Sequence, residues 1–263
     1  MSRTLTLLFL GFVALPIQAA EDVASMLRQA DAYRLPAAAV RVEAEVDLYR
    51  NGVLDKERRY TVYMKPGRRS LILMKSPAET GQKVLMLADQ FWLLMPESER
   101  PLRITASQKL LGEASTGDIS SMTWSSDYAG TKFDEVTCPL LPAELNEIAG
   151  YTTAPKTATR CHHLDLTAAA SGVTYSRVEL YLEKSSGLPV KADLYVSSGK
   201  RAKEAWYVAK IIDGQQRIGS MLLLDDIQPN RRTVIRYLSI VPKDAPDEFF
   251  NPAALVRNSL AGW

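Results

Sequence analysis

Histidine and cysteine are nearly absent from this 263-residue chain, which has two of each. His162 and His163 are neighbours. Adjacent strand positions point to opposite faces, so the two are poorly placed to chelate one ion. A Ser-His-Asp triad would need one of them, and no Gly-x-Ser-x-Gly elbow accompanies either. Gly-rich phosphate loops and the zinc and calcium ligand spacings are missing as well. The acidic pairs Asp225-Asp226 and Glu97/Glu99 flank turns, where carboxylates are ordinarily solvated, and nothing favours a glycosidase pair. The expectation is a protein that is not an enzyme, with no cofactor and no metal site, in which both histidines are structural.

Charge of one sign is also lacking. Lysine and arginine number 32 against 30 acidic residues, a formal net charge of +2. That balance, without basic surface interleaved with aromatics, argues against nucleic acid as a partner. The basic pairs Arg58-Arg59, Arg68-Arg69 and Arg231-Arg232 read as solvated strand ends or turns, or else as contacts to lipid phosphate or an acidic partner. Beyond the N-terminus no stretch approaches the ~18 uninterrupted apolar residues of a membrane span, which excludes stable membrane insertion by a helix.

The N-terminus has the three parts of an export signal. Arg3 supplies the charge, Leu5 to Leu15 the apolar segment, and Ala19-Ala20 the small residues at a cleavage site. The expected division is a signal peptide over 1–20 and one domain over 21–263. Such a signal suits a bacterial periplasm; full secretion is its other destination. In an oxidising compartment Cys138 and Cys161 are most simply a disulfide, contributing on the order of 3 kcal/mol by loop closure. A zinc site would need further ligands at zinc spacing, and a catalytic thiol is the remaining alternative.

What is present is β-pattern. Val40, Val42, Ala44, Val46 and Leu48 alternate with Arg41, Glu43, Glu45, Asp47 and Tyr49, giving one buried and one wet face. Asn51-Gly52, Pro66-Gly67, Ser185-Ser186-Gly187, Ser197-Ser198-Gly199 and Asp213-Gly214 separate further strand segments. An apolar stripe predicts a helix over 21–33, and the stretch 107–130 reads as short helices and loops. The class is mainly β (α+β), with one large antiparallel sheet simpler than two domains.

The stretch 83–95 departs from the one-wet-face rule. Lys83-Val84-Leu85-Met86-Leu87-Ala88 and Phe91-Trp92-Leu93-Leu94-Met95 flank Asp89-Gln90, a hairpin apolar on both sides. Either both faces are covered, or one is core and the other lines an apolar pocket. Leu71, Leu73, Met86, Phe91, Leu93 and Met95 are the candidate cavity residues, with Trp124 and Tyr128 in a lid. Burying an acyl chain gains about 0.8 kcal/mol per CH₂ without any polar motif.

Phe91-Trp92-Leu93-Leu94-Met95-Pro96, then Arg103-Ile104, Ser107-Gln108-Lys109-Leu110-Leu111-Gly112, Gly117-Asp118-Ile119, Asp127-Tyr128, Gly187-Leu188-Pro189-Val190-Lys191 and Asp247-Glu248-Phe249-Phe250 are similar to the bacterial outer-membrane lipoprotein-sorting-like family. The resemblance covers most of the chain. It departs at Ala88-Asp89, where Gly-Asp is commoner, and the cysteine pair lies outside its pattern. It implies a LolA/LolB-like periplasmic carrier fold: a single strongly curved antiparallel sheet forming an incomplete barrel, with short helices covering the concave face. It also implies a carrier for lipid or lipoprotein acyl chains, working with an inner-membrane transporter or an outer-membrane acceptor. The alternative role is a periplasmic sensor or adaptor that binds a protein partner to regulate an envelope response or transporter.

Overall fold

The computed structural model describes residues 17–35, 39–105, 109–111, 114–120, 123–151, 159–226 and 228–256. Most of the expected signal segment, the Ser107-Gln108 and Gly112 positions of the family-like motif, and Met122 lie outside them. The helix α1 (Ile17–Ala32) starts within the expected signal segment.

Among the described residues fifteen strands follow. They are β1 (Val40–Arg50), β2 (Val53–Lys65), β3 (Arg69–Met74), β4 (Lys83–Leu87), β5 (Gln90–Leu94), β6 (Leu102–Ile104), β7 (Lys109–Leu111), β8 (Ala114–Ser115), β9 (Tyr128–Thr137), β10 (Arg160–Ala168), β11 (Arg177–Glu183), β12 (Pro189–Tyr195), β13 (Arg201–Ile212), β14 (Gln215–Asp225) and β15 (Arg231–Pro242). Short helices α2 (Thr116–Ser120) and α3 (Trp124–Asp127) precede β9, and α4 (Asn146–Ala149) precedes β10. Thirteen strands form one antiparallel sheet in the order β6-β5-β4-β3-β2-β1-β15-β14-β13-β12-β11-β10-β9, and β7 pairs with β8. The sheet is not closed into a barrel.

Sequence dictates the local pairing. In β1 the alternation predicted from Val40 to Val46 is met residue by residue, with the valines and Ala44 buried and Arg41, Glu43 and Glu45 half-buried. Asn51 and Gly52 both take positive φ, 52° and 80°, as a two-residue hairpin turn requires. Curvature comes from bulges, which bend a strand and increase its twist. They interrupt the register at Glu43/Ala44, Leu48/Tyr49, His163/Leu164, Tyr181/Leu182 and Val208/Ala209.

The concave face carries the main core. Val42, Val62, Ile72 and Val84 from the first half of the sheet join Leu164, Leu180, Leu194 and Leu223 from the second. The helix α1 packs into this face through Val23, Leu27 and Ala30, as its apolar stripe predicts. β14 and β15 pair only over Ser220–Leu224 and Arg232–Arg236. Beyond that the Ile218 N–H donates instead to the Tyr33 carbonyl, just past the end of α1, at 2.7 Å.

The convex face is covered in two places. Phe249 and Phe250, in a short 3-10 turn near the C-terminus, and Leu255, just after the next one, cover Tyr63, Leu71, Leu73 and Leu85. Leu145 and Ala149, in the segment preceding β10, cover Trp206, Val208 and Leu222. The Cys138–Cys161 disulfide ties that segment to β10.

Two expectations are corrected. The tight turn of the 83–95 hairpin is Ala88-Asp89 rather than Asp89-Gln90, because Leu87 pairs with Gln90 and Ala88 adopts φ 52°. The stretch 107–130, read as helices and loops, also contains β7 and β8 and the start of β9.

Candidate functional site

The hairpin β4–β5 resolves into two faces. Val84 pairs with Leu93 and Met86 with Phe91, and these four point to the concave side. Leu85, Leu87, Trp92 and Leu94 point to the convex side, under the C-terminal aromatics. Both faces are therefore covered by protein.

The eight candidate cavity residues separate accordingly. Met86, Phe91 and Leu93 stand on the concave face, Trp124 lies in α3 above it, and Tyr128 opens β9. Leu71 and Leu73 do not join them. In β3 Leu71 pairs with Leu85 and Ile72 with Val84, so Ile72 faces inward and the leucines pack under Phe249 and Phe250. Met95 lies past the end of β5 and is 39% exposed. A strand apolar on both sides has no wet face to fix its phase, so the residue pattern alone does not say to which face the leucines belong.

Short helices roof the concave face. The Asp31 carboxylate of α1 accepts the backbone N–H groups of Trp124 and Ser125 at 2.8 and 2.9 Å and the Ser125 hydroxyl at 2.5 Å, holding α3 to α1. Burial pushes this carboxyl up, against the pull of those donors. Trp124 is fully buried with its ring edge-on to Tyr207, centroids 5.5 Å apart. The roof meets the sheet again at Arg68, whose Nε lies 3.3 Å from the Asp127 carboxylate and whose Nη1 donates to the Ser171 carbonyl at 2.8 Å. There the tip of the β4–β5 hairpin touches the loop between β10 and β11. A Cβ on Gly172 would lie 2.4 Å from that of Asp89, so only glycine admits the approach. Met86, Phe91 and Tyr128 come together at this seam, around a crevice of about 20 Å³.

Within the apolar hollow sits a charged cluster that sequence reasoning did not find. Asp118 of α2 is fully buried. It accepts the Ser115 N–H and hydroxyl, each at 2.8 Å, the Tyr175 hydroxyl at 3.0 Å and the Lys203 ammonium at 2.8 Å. Burial acts to raise its pKa, but Lys203 and the Ser115 donors outweigh it and hold the carboxyl below its usual range. Arg34, also buried, donates to the Asp118 carbonyl at 3.2 Å and to the Tyr237 hydroxyl at 3.3 Å. These residues come from well-separated segments, so no local spacing signals them.

One end of the hollow opens between the C-terminal half of α1, α3 and the turn joining β2 to β3. The cleft there has a volume of about 490 Å³. Its floor includes Leu35, Val40 and Met64, and Val40 belongs to the concave core. Arg28, Lys65, Arg68 and Arg69 also line it, but Lys65 and Arg69 turn their charged ends to Asp247 and the Phe250 ring, outside the cleft. None of the eight candidate residues lines it.

His162 and His163 pair with Leu182 and Tyr181 of β11 and face opposite sides of β10. His163 stacks on Tyr181, ring centroids 4.4 Å apart, and its Nε2 lies 3.4 Å from Glu179. Among the described residues no helix is long and apolar enough to cross a membrane.

An open antiparallel half barrel with an apolar concave face roofed by short helices defines a lipid- or lipoprotein-carrier type of fold. A family model described as that of an uncharacterized protein matches residues 67–257, and the chain belongs to that family. Among solved structures it is similar to a LolA superfamily protein from Nitrosomonas europaea, with 25% identity and a TM-score of 0.73 over 89% of this chain and 97% of the other. It is also similar to a DUF1329 family protein from Desulfovibrio piger, with 22% identity and a TM-score of 0.68 over 91% and 99%. A domain from Vibrio parahaemolyticus classed as an outer membrane lipoprotein-sorting protein shares the fold at 18% identity, with a TM-score of 0.66 over 90% and 100%. No curated protein has a significant sequence match to the chain.

Proposed function

We propose that this protein is a periplasmic carrier that holds lipid or lipoprotein acyl chains against the concave face of its sheet and serves outer-membrane lipid or lipoprotein trafficking. The observation that carries this reading is the cover of that face. A sheet core closed by a second sheet is permanent, whereas here the apolar inner face is roofed by α1 and the four-residue α3, which the Asp31 carboxylate hydrogen-bonds together. Displacing that roof exposes one continuous apolar surface running from Val84 to Leu164. Met86, Phe91 and Leu93 would contact the chain, with Trp124 and Tyr128 as the cover. The fold shared with lipoprotein-sorting proteins supports the same reading. The carrier performs no covalent step. In this reading segment 1–20 directs export and residues 21–263 act as one unit.

The test is direct. The exported protein, purified without detergent, is extracted and its lipids identified by mass spectrometry. The delipidated protein is then titrated with a fluorescent fatty acid. Co-purifying lipid and saturable uptake are expected. A lipid-free preparation that also takes up no fatty acid would end the carrier reading.

A further inference from the structure

Of the three basic pairs in the sequence, two find acidic partners. Arg58 lies 3.3 Å from Glu79 and Arg59 3.1 Å from Glu45. Arg68 lies 3.3 Å from Asp127 and Arg69 2.9 Å from Asp247. Arg231 and Arg232, which open β15, have no ion pair among the described residues. They stand where the β1–β2 and β14–β15 turns meet, the Asn51 N–H donating to the Asn230 carbonyl at 2.9 Å. β3 pairs with β2 only over Tyr60–Lys65, so the first residues of β2 run past it and the β1–β2 hairpin projects from the sheet. Its tip carries Val53, 70% exposed, and Leu54, 49% exposed. The register sets each in a row with an arginine of β15: Val53, Arg50 and Arg231 in one row, Leu54, Tyr49 and Arg232 in the next. Lys56 is exposed as well and has no ion pair among the described residues. Over residues 49–56 and 228–232 the one acid is Asp55, 3.9 Å from Arg50 in an exposed pair that water screens. The flanking Glu57 and Asp226 are engaged by Arg59 and Arg201, and Asp225 is buried. An apolar tip is thus ringed by an excess of cations.

The geometry points to a membrane-docking tip: we infer that the β1–β2 hairpin meets an anionic bilayer end-on, with Val53 and Leu54 entering among the headgroups while Arg50, Lys56, Arg231 and Arg232 contact lipid phosphates. An interfacial element needs apolar side chains at its leading edge and cations at headgroup level behind them, and the two cross-strand rows supply both. Each Lys or Arg at an anionic surface strengthens attachment about fivefold. A stable protein interface takes about 800 Å² per partner over a broad surface, whereas headgroups part around a narrow projection, which favours a bilayer over an acidic protein. The inference goes beyond the carrier reading and holds whether or not the hollow takes an acyl chain.

The exported protein would be mixed with vesicles of phosphatidylglycerol and phosphatidylethanolamine, and with vesicles of phosphatidylcholine alone, and binding read by co-sedimentation. Binding to the anionic vesicles should be about tenfold or more tighter, with a preference that shrinks as salt is raised. Arg231→Gln with Arg232→Gln, which breaks no ion pair among the described residues, should weaken it about tenfold or more. Val53→Ser with Leu54→Ser should weaken it at unchanged charge. Both cysteines are joined in the disulfide, so a thiol introduced by Val53→Cys takes a polarity-sensitive dye selectively. Its emission should shift to the blue on anionic vesicles. The same dye on Ile211→Cys, a position 72% exposed at the other end of the sheet, should not shift. Failure to bind anionic vesicles would leave an acidic protein as the partner and overturn the inference. Equal binding to phosphatidylcholine, binding unchanged in the double arginine variant, or a dye shift at position 211 without one at position 53 would each overturn it too. Fatty acid uptake, measured separately, decides the carrier reading in every case.

Discussion

Lys203 and Asp118 form a 2.8 Å ion pair in the interior of the hollow, with side chains 6% and 0% exposed. A buried pair of this kind contributes little net stability compared with apolar residues of similar shape, but removing one partner strands the other charge. Asp118→Asn should therefore lower unfolding free energy by about 3–5 kcal/mol in urea titration. Adding Lys203→Met should restore much of that loss. A double variant no more stable than the single one would show that Ser115 and Tyr175, rather than Lys203, are the partners that matter.

The same carboxyl sets a pH dependence. Its folded pKa lies below the ordinary 3.8, so its contribution to stability is complete above that value. It is lost as the pH falls through the lower, folded value. Asp127 acts with the opposite sign. Burial pushes its carboxyl up despite Arg68, so its cost is present at neutral pH and is relieved once it is protonated. Denaturation midpoints across the acid range should thus fall less steeply with acid in Asp118→Asn than in the unmodified protein.

The disulfide joins Cys138 to Cys161 across 23 positions and clamps the segment that covers Trp206 and Leu222. Its removal by Cys138→Ser with Cys161→Ser should cost on the order of 3 kcal/mol. Reductant should shift the thermal midpoint of the unmodified protein downwards and leave the double variant unmoved.

The two faces of the β4–β5 hairpin can be told apart by uptake. Leu93 is half-buried on the concave side and Leu87 half-buried on the convex side. Either leucine replaced by tryptophan should cost about 1–3 kcal/mol through overpacking. Only Leu93→Trp should reduce the amount of fluorescent fatty acid bound at saturation. Equal loss in both variants would separate uptake from the concave face.

The seam at Gly172 offers a fifth check. An alanine there would drive its Cβ to 2.7 Å from the Asp89 Cα, a backbone atom that a side-chain rotation cannot clear, at φ 69°. Gly172→Ala should destabilise the fold by about 1–3 kcal/mol. It should also speed amide exchange at the hairpin tip, around Ala88, before it does so in β1.

Much of this architecture was legible in the residues. The bounds of Val40 to Arg50 and its buried face as far as Val46 could be read directly, whereas Asp47, expected on the wet face, is buried and Leu48 only half-buried; Asn51-Gly52 and Pro66-Gly67 marked the turns. The strand β9 was missed because Tyr128 to Thr137 lies at the sheet's edge, where Gly130, Asp134 and Glu135 blur any period of two. The hairpin's doubly apolar character was visible, but assigning Leu71 and Leu73 to a face was not, since only pairing to Leu85 and Lys83 sets that phase. The Asp118 cluster was out of reach for a different reason. Ser115, Asp118, Tyr175 and Lys203 meet only after the sheet has curved, and separately each looks like an ordinary polar residue.

The strand order carries a consequence for how the hollow comes to exist. Every pairing in the thirteen-stranded ladder joins strands consecutive in sequence, except that of β1 with β15. The chain thus consists of two meanders whose hairpins are local and quick to form, and one long-range ladder in which Val40 meets Pro242 and Arg50 meets Arg231. Closing that loop carries the largest entropy cost of any pairing in the sheet. Each meander alone is a ribbon with half of the apolar surface. The full width of the concave wall, and with it the seat for α1, requires the pairing of the first strand with the last.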